Sequence, residues 1–157
     1  MKILHVSTTD IHGGAARAAY RLHKALLNIG VVSEMLVAAK YSDDFTVNKA
    51  DDMKPARKIV KFIYSRIEKR YLQKYKYKKP ALFSAAGFAP QNKVILINAA
   101  DADIVHLHWV TSGMLRIKDI AKINKPIVWS LHDMWPFTGG CHYDDNCGLF
   151  KKECGQC

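Results

Sequence analysis

Acidic side chains all but vanish from one stretch of this chain. Between Lys54 and Lys79 the only one is Glu68, set in a dense series of lysines and arginines. The 157 residues together carry a formal charge of +10. A segment this one-sided suits an anionic partner (nucleic acid, phospholipid headgroups or a phosphorylated substrate), or it forms the solvated face of a helix. Cysteine is missing from the first 140 residues, and all four then fall within the last 17. Met1 to Val6 carries a single lysine and runs into a strand pattern, which does not read as a secretory leader. Thiols or metal ligands in a reducing compartment are therefore expected rather than disulfides. No apolar run approaches the about 20 residues that a membrane-spanning helix needs, so an integral membrane protein is excluded. A length of 157 residues with 49% hydrophobic side chains fits one well-cored domain.

What is present alternates between strand and helix. Lys2 to Ser7 reads as the first and central strand of a parallel sheet, followed by the loop TTDIHGG. A helix then runs to Gly30, with Ala15, Ala18, Ala19, Leu22, Leu26 and Ile29 recurring at helical spacing. Val31 to Val37 is a second strand, which completes a βαβ unit. Tyr41 to Asp52 is polar and reads as loop. From Lys54 to about Tyr75 a basic helix is expected, with Ile59, Ile63, Ile67, Tyr71 and Tyr75 along one side. That stripe suits either a membrane interface or packing against a neighbour. Gln91 to Ala100 leans to helix, Asp103 to Trp109 is a strand with His106 and His108 on one face, and Arg116 to Ile123 is a helix. Ile127, Val128 and Trp129, introduced by Pro126, form a buried strand. The class is α/β, a Rossmann-like parallel sheet flanked by helices.

Three strand ends then invite comparison, because ligands of open α/β sheets bind at the carboxyl edge. They carry Asp10-His12-Gly13-Gly14, then His108-Trp109, then His132-Asp133 followed by Gly139-Gly140. Gly13 and Gly14 allow close backbone approach at a helix start, which favours phosphate or carboxylate; a tight turn without a ligand is the plain alternative. The dinucleotide fingerprint is absent: the spacing is H-G-G-A-A-R, and the second strand runs into Ala38, Ala39 and Lys40 with no acid for a ribose. A nucleotide-dependent Rossmann oxidoreductase is disfavoured on both counts.

The stretches KILHVSTTDIHGGAARAAYRLHKAL, ADIVHLHW and above all KPIVWSLHDMWPFTGGCHY resemble the N-terminal half of a bacterial family-4 glycosyltransferase of the GT-B fold. Within that family they are most similar to enzymes of capsular, exopolysaccharide or colanic-acid-type glycan synthesis. The resemblance implies an acceptor-side domain over residues 1–157, with a donor-binding C-terminal domain that this chain lacks, so that it reads as truncated. It implies retaining transfer of a sugar from a nucleotide-sugar to a glycan or lipid-linked acceptor, without a catalytic metal. Gly13 and Gly14 would lie near the donor diphosphate, and His132 beside the transferred sugar. Asp133 would orient His132 or touch the acceptor, and His108, Trp109, Gly139 and Gly140 would line the cleft. The expected setting is cytoplasmic, peripheral on the inner face of the cytoplasmic membrane with its anionic surface.

Cys141, Cys147, Cys154 and Cys157 follow the pattern C-x5-C-x6-C-x2-C. They read as ligands of a structural zinc closing the terminal loop, with His142 as substitute ligand and unliganded thiols as the alternative. A basic, non-catalytic zinc-knuckle module for nucleic acid is the competing class. It leaves the HDMWPFTGG run unexplained, and nucleic acid is accordingly the weaker partner.

Overall fold

The computed structural model describes residues 1–50, 63, 66, 70, 83, 84 and 93–154. Among these described residues five strands form one sheet: β1 (Lys2–Thr9), β2 (Val32–Ala39), β3 (Val47–Lys49), β4 (Ile104–Leu107) and β5 (Ile127–Trp129), in the order β3-β2-β1-β4-β5. Every pairing is parallel, so the α/β, Rossmann-like class expected from the sequence is what the chain adopts. β1 is central, as expected, and residues 4–8 are buried in an unbroken run. A parallel strand covered on both faces has no solvent side on which to place polar residues.

Alternation along β1 sends its side chains to two different cores. Leu4 and Val6 lie in register with Val105 and Leu107 of β4. They pack with Val94 and Ile97 of the helix α2 (Val94–Ala99), and with Val110, Met114 and Trp135. The opposite face gathers Met35, Val37 and Val47 against Ala19 of the helix α1 (Gly14–Asn28). His5 and its register partner His106 are on that second face too. A short helix, α3 (Ile117–Ile120), precedes β5.

Three expectations are corrected. The α1 surface that meets the sheet is Ala16, Ala19 and His23, while Leu22 and Ile29 are exposed. His23 decides the phase: its ring nitrogens bond Ser33 Oγ and Thr46 Oγ1, each at 2.8 Å. The small alanines beside it let the helix lie close. Residues 41–52 hold a strand, β3, in what reads as loop, and Val47 there is 2% exposed. β5 is not a buried strand. It pairs with β4 alone among the described strands, and Ile127 and Val128 are 39% and 49% exposed. Of the expected basic helix, Ile63, Arg66 and Arg70 are helical and exposed; the remainder lies outside the described residues. Among the described residues no helix is long and apolar enough to cross a membrane.

α1 is tied to the β2–β3 side by one carboxylate. Asp44 accepts from Tyr20 Oη at 2.8 Å, Lys24 Nζ at 2.9 Å and the Thr46 backbone N–H at 2.9 Å. Burial alone would raise its acidity constant's exponent, but the bonds from Thr46, Lys24 and Tyr20 outweigh burial and hold the carboxyl well below its usual range. A depressed folded pKa contributes stability above the unfolded value, near 4, and loses it as pH falls towards the folded one. Asp44→Ala should therefore cost about 1–3 kcal/mol at pH 7. By urea unfolding, the gap to the parent should narrow by about 1 kcal/mol at pH 3. A gap of equal size at both pH values would refute the role.

Candidate functional site at the carboxyl edge of the sheet

The end of β1 is shaped by Asp10, which is fully buried. Its carboxylate accepts the backbone N–H groups of Tyr41, at 3.0 Å, and Ser42, at 2.8 Å. Burial works to raise its pKa, and the bonds from Ser42 and Tyr41 more than reverse that. Asp10 therefore fastens the loop after β2 to the loop after β1. α1 begins two residues after exposed His12. Gly13 has φ of 102°, a conformation that favours glycine, and provides no side-chain cap. The first turn carries no acidic residue, so its N–H groups keep their positive potential. A Cβ added to Gly14 would meet nothing within 4 Å; internal packing does not require a glycine there.

β1 and β4 are bound to each other beyond the ladder. Thr8 N–H donates to the Trp109 carbonyl at 2.8 Å, and Thr8 Oγ1 donates to the Thr111 carbonyl at 2.8 Å. This fixes the end of β4, where parallel register aligns the histidines. His5 Nδ1 meets His108 Nε2 at 2.9 Å, and His108 Nδ1 meets His132 Nε2 at 3.1 Å. His106 bonds Ser130 Oγ at 2.8 Å. The rings stack: the centroids of His106 and His108 are 4.3 Å apart, and those of His108 and His132 5.3 Å.

Burial disfavours the protonated form of each of these imidazoles. Burial, then the neighbouring rings His106, His5 and His132, push His108 down to about 2. Burial, then His106 and His23, push His5 to about 3. His106 is lowered by burial and then by His132, and His132 by burial against an opposing pull from Asp133. His132 is exposed at the end of this array, whereas His108 is 3% exposed. His108 therefore does not itself line an open surface, as the sequence reading had it; it reaches the edge through His132.

One ring nitrogen each of His5, His106 and His108 lie within 4.8 Å of one another. That grouping suits a hydrogen-bonded stack better than a metal centre. His5 Nδ1 and His108 Nε2 are bonded to each other at 2.9 Å. Both nitrogens of His108 are already engaged.

The hydrogen bonds of Asp133 go to groups other than His132. Its partners are Trp109 Nε1 at 2.8 Å, His142 Nδ1 at 2.5 Å and the Trp135 backbone N–H at 2.9 Å. It does not orient His132, which is held by His108. His142 is fully buried and its Nε2 meets Ser84 Oγ at 2.9 Å. Ser84, His142 and Asp133 thus have the connectivity of a hydrolytic triad. The surroundings argue against that chemistry: the Ser84 N–H is spent on the Gly140 carbonyl at 2.9 Å, and its own carbonyl accepts Trp135 Nε1 at 2.8 Å. No exposed face remains on the histidine for a substrate, so the trio is a tie that closes the loop after β5.

Gly139 and Gly140 belong to that closure. A Cβ on Gly140 would lie 2.5 Å from the Phe83 ring, and one on Gly139 would lie 2.9 Å from Cys154 Cβ. Their missing side chains make room for protein neighbours, and Gly140 is buried. Cys141, Cys147 and Cys154 do not converge as a ligand group among the described residues; Cys157 lies outside those residues. Sequence reasoning overlooked His5 and Ser84. Only the β1–β4 register brings the first into the array. A shallow groove elsewhere, bounded by Leu27, Val32, Glu34, Phe45 and Asn48, lies at the amino end of β2 and away from these groups.

Compared with known proteins, the whole chain aligns at 25% identity over 171 residues with a protein of Escherichia coli strain K12 named for a colanic acid biosynthesis glycosyl transferase, WcaC. The chain spans 39% of that relative's length. No protein-family model and no solved structure matches it. The similarity agrees with the glycosyltransferase resemblance drawn from the sequence.

The packing of Gly140 is open to test. Gly140→Ala forces a Cβ into Phe83 at φ of 140°, and should cost about 2–4 kcal/mol. Adding Phe83→Ala should recover part of that loss, giving a coupling of about 1 kcal/mol or more in a double-mutant cycle by chemical denaturation. Strict additivity would show that the two do not meet.

Proposed function

We propose that this chain is the acceptor-side domain of a glycosyltransferase that moves a sugar from a nucleotide-sugar donor to a glycan or lipid-linked acceptor in surface-polysaccharide synthesis. The observation that carries the reading is the exposed His132 imidazole at the carboxyl end of β5, backed by His108. On the same sheet edge, α1 opens uncapped behind Gly13 and Gly14. In this reading the second, donor-gripping domain of a GT-B enzyme faces that edge. The α1 N-terminus and basic side chains stabilise the leaving diphosphate. His132 contacts a hydroxyl of the transferred sugar, and transfer proceeds with retention. The similarity to the colanic-acid relative, over 39% of that protein's length, supports the general class.

The test is sugar transfer by the complete reading frame that contains this chain, assayed with nucleotide-sugar donors and extracted membrane lipid. His132→Ala should lower turnover about 30- to 1000-fold, equivalent to 2–4 kcal/mol of lost transition-state stabilisation, with an unchanged circular dichroism spectrum. Equal rates for variant and parent would remove His132 from the site.

Peripheral membrane attachment belongs to the same reading, and its support is the charge of the Lys54–Lys79 segment. Each basic residue near an anionic surface contributes about 1 kcal/mol. Vesicles containing an anionic lipid should co-sediment the protein at low salt and release it at high salt, while neutral vesicles should not bind. Binding that ignores both lipid charge and salt would rule the attachment out.

A further inference from the structure

His132 is the outer end of a hydrogen-bonded line of three imidazoles: His5 Nδ1 to His108 Nε2, then His108 Nδ1 to His132 Nε2. The inner end is closed. His5 is fully buried, and its Nε2 has no hydrogen-bond partner. A neutral imidazole carries one N–H, and the bond made by one nitrogen decides which nitrogen holds it. The line can therefore run in only two directions. If protons point inward, His132 donates to His108, His108 donates to His5, and His5 must carry its proton on Nε2. That leaves a buried N–H with no acceptor. If protons point outward, His5 donates from Nδ1 to His108, and His108 donates from Nδ1 to His132. That leaves only a bare lone pair on His5 Nε2. Orphaned buried N–H groups are rarer than under-used acceptors, so the outward direction is favoured.

We propose that His5 and His108 are positioning residues that hold His132 as the Nδ1–H tautomer, so that it presents a hydrogen-bond donor, and not a base, to an oxygen of the ligand. Among the described residues, His132 Nδ1 has no hydrogen-bond partner, and the side chain is exposed. The oxygen acceptor is a hydroxyl or phosphoryl oxygen. The tautomer stands on the hydrogen bonds alone; its use on a sugar hydroxyl rests on the function proposed above. The assignment is unusual enough to test, since a free neutral imidazole in water prefers its proton on Nε2. Other titratable groups at the array are His106 beside His5 and His108, His23 facing His5 from α1, and Asp133 beside His132.

The experiment is 15N-histidine NMR of the chain at pH 7.5, where long-range couplings report the protonated nitrogen of each ring. The parent should show His132 protonated on Nδ1. His108→Asn keeps an N–H donor at the position of the former Nδ1 and should preserve that signature. His108→Leu removes the donor, and the His132 proton should move to Nε2. Nε2–H on His132 in the parent overturns the proposal even if neither variant folds, as does a His132 spectrum unaltered in folded His108→Leu. Added Zn2+ that shifts His5, His106 and His108 together at one equivalent would also overturn it, replacing the hydrogen-bonded line with a metal centre. In the transfer assay, His108→Leu should lower kcat about 10-fold with little change in KM, and His108→Asn should restore most of it. An Nδ1–H signature without that kinetic effect would leave the tautomer standing and refute the sugar-hydroxyl contact.

Discussion

The carboxylate of Asp133 is the constraint on which the edge of this sheet depends. Three donors from three separate places meet on it: the indole of Trp109 beyond β4, the ring of His142 from the closing loop, and the Trp135 backbone. The other two tryptophans are committed in the same way, Trp129 to the His108 carbonyl and Trp135 to the Ser84 carbonyl. A carboxyl group so far removed from water is tolerated only when such partners surround it. Because the loop after β5 is deeply tied through this group, His132, immediately before it, is held at the start of a rigid turn. Precision at a site on a strand end comes from such supports more than from the exposed residue itself.

The second constraint is register. Parallel pairing sets His5 opposite His106, and two residues further along β4 places His108 over the same face. Hydrogen bonds then carry the array across to β5. A slip of one residue in β4 would send both histidines into the apolar core on the other face. Burial disfavours the cationic form of each ring in the stack, so geometry and proton affinity are coupled. The protein thus builds one exposed imidazole on a base of buried ones.

Much of this frame was legible in the sequence. Glycine turns, helical periodicity and short β-branched runs identified β1, α1, β2, β4 and β5 and placed three strand ends together. What escaped reading was decided by distance or by polarity. β3 has three residues, too few for a period to register. The run Ile127-Val128-Trp129 has the same composition whether a strand lies inside a sheet or at its border. α1 was phased by its leucines, yet the inward face follows His23 and its two hydroxyl partners. The bond between His5 and His108 spans 103 positions, and no local pattern encodes it. Asp133 was recognised as important next to His132, but its partner His142 had been assigned to the cysteines.

The border position of β5 has a practical outcome for anyone handling this polypeptide. Its outer row of peptide groups has no strand beside it among the described residues, and Ile127 and Val128 stand exposed on the same short element. Backbone donors and acceptors in an open row act as a template for another extended segment, and apolar side chains strengthen the attachment. The neighbouring Lys125 brings charge to the approach, which weakens self-association where salt is low. Concentrated preparations in high salt should therefore be the ones that cloud, edge joining edge, while the rest of the fold remains intact.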